Sequence, residues 1–306
     1  MKNQTSKFIN FDEHDEILKE EDVMKLTTKA SVLATIIAAG VLTMATASAS
    51  IVSSKHNLGS NGTGANNLDS VTGTGDATEV CVFCHTPHGA NTGISAPLWN
   101  KTAGTGSYST YSDMASTTID GRIETVGSVS VACLSCHDGS QAMDVMSNES
   151  GSGADTISAF DWTGSTGTTA TNGKLVGFAA ITTDSDGLKN DHPVGIQYAG
   201  GGYTSTDTSA TSGAAMVDGD FNGASYAKPN GVDVWWVNTT ATDSTANREK
   251  TDMILYTRTG SGTGLQAGIQ PYVECATCHD PHEASNKTFL RIPNTDSKVC
   301  LACHDK

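Results

Sequence analysis

Large aromatic side chains are scarce in this chain. Seven Phe, seven Tyr and four Trp make up 6% of its 306 residues, and hydrophobic residues together reach 37%. So thin a supply does not fill the interior of one or two ordinary domains of this length. Positive charge is also short: 18 Lys and Arg stand against 33 Asp and Glu, a formal net of −15. That balance argues against nucleic acid or an anionic membrane surface as a partner. Long apolar runs are missing too. The stretch Ala30 to Met44 is interrupted by Thr35, Gly40 and Thr43 and is too short for a stable membrane span. What is plentiful is small: 32 Gly, with much Ser, Thr and Ala.

The same N-terminal stretch reads as an export signal. Lys25 and Lys29 precede the apolar run, and Ala47-Ser48-Ala49 suits a signal peptidase. Residues 1–23 carry seven acidic residues and fit a signal poorly, so Met24 is the expected true start. Residues 1–49 are read as an N-terminal extension and cleaved signal peptide. Five of the 18 basic and seven of the 33 acidic residues lie there, which leaves 13 against 26, a net of −13, in a mature chain beginning Ser50-Ile51-Val52.

All eight cysteines fall into four Cys-x-x-Cys-His units. These are Cys81/Cys84/His85, Cys133/Cys136/His137, Cys275/Cys278/His279 and Cys300/Cys303/His304, the first to fourth motifs below. This is the attachment signal for c-type haem. Two thiols one helical turn apart can each add to a vinyl group of one porphyrin, and the adjacent histidine reaches the iron from one face. Zinc ribbons also use paired Cys-x-x-Cys, and a disulfide framework would explain an even count. Neither requires a histidine after every second cysteine, which chance would supply four times in four about once in a million. Four covalently attached haem c groups are therefore expected. Their flat apolar bodies supply the missing core, and export agrees, because haem is attached to such proteins outside the cytoplasm.

Histidines match the irons in number. Beyond residue 49 the chain has eight: the four proximal candidates His85, His137, His279 and His304, and four others, His56, His88, His192 and His282. One spare per haem is what bis-histidine ligation requires. His88 and His282 each follow a proximal histidine by three residues, so they point to the same side and serve a different haem. The chain resolves into two repeats, each an upstream histidine, a Cys-x-x-Cys-His-x-Pro-His unit and a second Cys-x-x-Cys-His. The preferred distal assignment is His56 to haem 1, His88 to haem 2, His192 to haem 3 and His282 to haem 4. Methionine can compete as an axial ligand, but Met114, Met143, Met146, Met216 and Met253 follow no repeat and read as packing.

The expected fold is mostly irregular and haem-organised, with short helices at the motifs and a few β-strands. Residues 50–144 form a haem 1/haem 2 module and residues 271–306 a haem 3/haem 4 module. Between them, 145–270 reads as a Gly/Ser/Thr-rich, turn-rich β insertion that supplies His192 and otherwise decorates the surface. Strand-like pieces are Val232–Val237 and Met253–Tyr256, the latter leading back to haem 3. Asp184, Asp186 and Asp191 read as a solvated loop rather than a calcium site. Pro97-Leu98-Trp99 and Tyr108–Tyr111 read as aromatic cover over haem edges.

With these residues in view, the chain resembles the multihaem c-type cytochromes with doubled Cys-x-x-Cys-His motifs, and among them the OmcE-type tetrahaem outer-surface cytochromes. The resemblance rests on Cys81 to Ala90, Ala96-Pro-Leu-Trp-Asn100, Cys133 to Gly139, Asp191-His-Pro-Val194, Glu274 to His282 and Cys300 to His304. It implies closely stacked bis-histidine haems continuing from subunit to subunit in an extracellular conducting filament, with other redox proteins or extracellular acceptors as partners. A histidine near the N-terminus then ligates a neighbour's haem, and His56 is the candidate. The long insertion departs from the group. A monomeric periplasmic electron shuttle is the alternative. A multihaem oxyanion reductase fits less well, because catalysis needs an open iron and here ligands and irons match.

Overall fold

The computed structural model describes residues 51–59, 62, 66–68, 79–114, 118–127, 129–148, 162–164, 173–182, 187–189, 194–203, 216–240, 247–260 and 268–305, all within the compact unit Ser50–Lys306. The N-terminal segment 1–49, His192 and the Asp184/Asp186/Asp191 group lie outside them.

Among the described residues α-helix is sparse, and its named segments lie at the motifs. The longest of these, α1 (Ser130–His137), contains the second motif. α2 (Cys275–Cys278) and α3 (Lys298–Cys303) carry the third and fourth, while the first is a single turn. Strands β1 (Asn66–Leu68) and β2 (Trp162–Gly164) form a small antiparallel ladder. The main sheet has five antiparallel strands in the order β3-β7-β6-β5-β4, where β3 is Ile196–Gln197, β4 Ser225–Ala227, β5 Val234–Val237, β6 Met253–Gly260 and β7 Gly268–Val273.

The period of two along β5 and β6 sets one face of this sheet. Trp235 pairs with Leu255 and Val237 with Met253, and all four are buried in one cluster with Tyr198, Tyr203 and Tyr226. The rings of Tyr226 and Trp235, cross-strand partners, lie 4.4 Å apart. Ala302 of α3 closes the cluster, with Cys278 and Cys303 packed against it. The Tyr198 hydroxyl donates to Asn222 O at 2.7 Å, and Asn222 N–H donates to Cys303 O at 2.8 Å. Here the structure differs from the surface insertion expected for 145–270. Aromatics that look dispersed in the sequence converge once β4 to β7 pair, and β7 runs straight into Cys275.

The N-terminal part has a thinner core of Leu58, Phe83, Met143, Leu175 and Ala180, with Cys84 and Cys136 against it. Buried polar side chains complete it. Asn100 Nδ2 donates to Val82 O and Asn148 O at 2.6 and 2.7 Å, and its Oδ1 accepts from Asn148 N–H at 2.9 Å. Lys101 Nζ donates to Met143 O at 2.6 Å and Val145 O at 2.9 Å. Such groups replace apolar volume with backbone anchoring.

A third junction joins α1 to α2. Ser130 Oγ donates to Glu274 Oε2 at 2.6 Å and accepts from Cys275 N–H at 3.0 Å. Arg258 Nη1 pairs with Glu274 Oε1 at 3.1 Å and Nη2 donates to Thr125 O at 2.8 Å. Glu274 also caps α2 in a reciprocal box with Thr277.

Candidate haem-binding centres

Each motif closes one helical turn from its first cysteine to its histidine. His85, His279 and His304 N–H donate to the carbonyls of Cys81, Cys275 and Cys300 at 2.8, 3.2 and 3.0 Å, and α1 holds Cys133 and His137 in the same relation. Two thiols and an imidazole thus share one turn. All eight thiols are free. Burial raises several of them, Cys84 and Cys303 to about 12 and Cys278 to about 11.

The histidines are oriented through one nitrogen. Nδ1 of His85 lies 2.6 Å from Pro97 O, that of His137 2.7 Å from Ala179 O, and that of His279 2.7 Å from Thr288 O. His56 Nδ1 lies 3.2 Å from Pro281 O, and His282 Nδ1 lies 3.5 Å from the Asp280 carboxylate. Five rings therefore commit Nδ1 to an acceptor and leave Nε2 to bind a metal, the usual outer-sphere arrangement of a histidine ligand. Burial, with His137 close by, lowers His56 to about 4, and burial lowers His137 as well. Both stay neutral, as ligands must be.

Four of these rings stand in two facing pairs. His85 and His282 have ring centroids 6.0 Å apart, and His56 and His137 6.2 Å apart. A ligating nitrogen sits about 2 Å from its metal and about 1 Å from its ring centroid, so two imidazoles bound from opposite sides are roughly 6 Å apart. His282 thus lies across from the first motif, not the fourth, and His56 across from the second, not the first. The distal order expected from the sequence put His282 with the fourth motif and His56 with the first; here their rings adjoin other motifs' histidines, because folding back through the sheet brings the third motif beside the first two. His56, expected to reach a neighbouring subunit, faces a histidine of its own chain. His88 is exposed, and His304 lies 4.2 Å from the Phe221 ring.

The first and third motifs are followed by the same hydrogen-bonded loop. Thr86 N–H donates to Leu98 O and Asn100 N–H to Cys84 O; correspondingly Asp280 N–H donates to Phe289 O and Arg291 N–H to Cys278 O. Isolated bridges join His85 to Trp99 and His279 to Leu290. The carbonyls that orient the histidines (Pro97, Ala179, Thr288 and Pro281) are missed by the sequence analysis, because a backbone acceptor has no residue-type signature. The acidic Asp280, in the place of Thr86, is a signal that could have been used.

The motifs follow one another in space as in sequence. Cys84 and Cys136 share one apolar cluster, Cys275 N–H donates to Ser130 Oγ of the helix that carries the second motif, and Cys278 and Cys303 share another cluster. Among the described residues no three His, Cys, Asp or Glu side chains gather as a self-sufficient metal cage. A porphyrin supplies four donors itself and asks the protein for two at most. The buried Trp99 Nε1, without a hydrogen-bond partner among the described residues, stands beside His85 and suits an acceptor such as a porphyrin carboxylate. The residues fit haem.

Residues 271–306 match the doubled CXXCH motif family. That match indicates covalently bound haem c. It suggests a multihaem c-type cytochrome that transfers electrons; the regular structure among the described residues comprises short helices, the two-stranded ladder and the five-stranded sheet. No curated protein matches the chain.

Proposed function

We propose that this chain is a tetrahaem c-type cytochrome whose irons are all bis-histidine ligated, and that it polymerises into an extracellular filament for long-range electron transfer. The facing pairs His85/His282 and His56/His137, with every Nδ1 turned away, carry this reading. When bound, each haem supplies one-electron exchange between ferric and ferrous iron. The chain would hold each haem through two thioethers, at Cys81/Cys84, Cys133/Cys136, Cys275/Cys278 and Cys300/Cys303, and through two histidines. An iron so held would have no position left for substrate, so the protein would carry electrons rather than act as an enzyme.

The two-repeat pattern assigns the remaining histidines. The upstream His56 serves the second motif of its own repeat, so His192 serves the fourth, His304. The x-Pro-His of the second repeat, His282, serves the first motif one repeat earlier. Applied to the first repeat, the same step sends His88 to the third motif, His279, of a preceding subunit. His88 takes over the bridging role that the resemblance gave to His56, and its exposure supports this. Export by the signal at 24–49 delivers the chain to the cell surface, where other redox proteins or extracellular acceptors exchange electrons with it.

Intact-mass analysis and near-atomic cryo-electron microscopy of the secreted, haem-staining material test this reading. Four haems per chain in a continuous filament are expected, with His88 density entering the adjoining subunit. Fewer haems overturn the tetrahaem count. Discrete subunits with His88 in solvent overturn the filament in favour of a soluble shuttle.

A further inference from the structure

The two facing histidine pairs match in separation but not in orientation. The ring planes of His85 and His282 meet at 21°, close to parallel, whereas those of His56 and His137 meet at 73°, close to crossed. The crossed ring is held from the side. Phe289 stacks on His56 with centroids 4.2 Å apart and planes 12° from parallel, while Pro281 O fixes the Nδ1 edge. His137 is fixed independently by Ala179 O.

The loop alone does not demand an aromatic here. Phe289 has a φ of 60°, a left-handed conformation that is costly for a bulky residue. Leu98, at the equivalent position after the first motif, has a φ of 54° and makes the same backbone bond, yet its side chain is 53% exposed. Only the copy beside His56 carries a ring.

We propose that Phe289 is a positioning residue that holds the His56 imidazole crossed against His137, making the second haem centre electronically unlike the first. The inference rests on the bis-histidine reading of these two pairs. An axial imidazole interacts through its π system with one of the two iron d orbitals that rise from the porphyrin plane. Two parallel rings act on the same orbital and split the pair. Crossed rings act on both alike and leave them nearly degenerate. The ferric first centre should then give a rhombic low-spin spectrum, and the second a strongly anisotropic one with a single large g value. The second centre should also be the easier to reduce, because its ferric state lacks the stabilisation that splitting provides.

The test is low-temperature electron paramagnetic resonance of the fully loaded ferric protein beside Phe289→Ala and Phe289→Tyr. Wild type is expected to show both signal types. Phe289→Ala should lose large-g intensity equivalent to one haem, about a quarter of the total low-spin signal. Phe289→Tyr, which keeps a stacking ring, should retain it. Haem content and the absence of high-spin iron are checked by pyridine haemochrome and absorption spectra. An unchanged large-g signal in Phe289→Ala, or a wild type that is low-spin throughout but wholly rhombic, overturns the proposal. High-spin iron in wild type would instead overturn the bis-histidine reading beneath it.

Discussion

At the scale of single residues, a histidine is prepared to hold a metal by what engages its other nitrogen. His56 is held in this way: Pro281 O lies against Nδ1, Phe289 covers one face, and burial disfavours the charged ring. His56→Ala should open one iron, converting about a quarter of the haem to a high-spin form that binds carbon monoxide. Absorption and magnetic circular dichroism would read this, and an all-low-spin variant would rule His56 out as a ligand. Glu274 gives a second expectation. Burial raises it to about 6 against an ordinary 4.5, despite the bonds from Ser130 and Arg258. The folded state then holds this proton more tightly than the unfolded state. Its contribution to stability is full below pH 4.5 and is lost as pH rises through 6, by about 2 kcal/mol. Denaturant midpoints across that window should fall with rising pH in wild type, and the slope should flatten in Glu274→Gln.

At the scale of elements, the three short α-helices and the five-stranded sheet among the described residues do different work. The helical turns present thiols and imidazole together, and the sheet brings distant turns side by side. Trp235, buried at the centre of the sheet's aromatic cluster, is the position where this scaffold is most exposed to damage. Trp235→Ala should cost about 3–5 kcal/mol, visible as a lowered thermal midpoint with haem content unchanged. A loss below 1 kcal/mol would mean that haem contacts rather than the sheet hold the C-terminal part together. The Cys and His of the candidate centres are legible in the sequence because their chemistry fixes residue type and spacing. Strand positions near Val234 and Met253 are legible from β-branched and aromatic runs. The partner of each histidine is not, since it depends on how β3 to β7 fold back. Phe289 is equally silent, because nothing in Lys287-Thr288-Phe289 marks a ring that will lie on a residue more than two hundred positions away.

At the scale of the whole molecule, the motifs form one succession from Cys81 to His304. If His88 completes a neighbour's third centre, His88→Ala should abolish filaments while leaving four haems attached. Electron micrographs should then show separate subunits, and absorption should report one iron open per chain. Filaments of normal length in this variant would exclude the bridge. The proposed pairing of His85 with His282 has a consequence for how the protein matures. Haem is attached outside the cytoplasm, so the first motif can receive its haem before the exported chain has folded the third motif into place. His56 and His137 stand much closer together along the chain, and their centre can close sooner. The first haem then stays open on one side until the loop carrying His282 docks, and a chain stalled before that step would carry a reactive iron that a folded one does not.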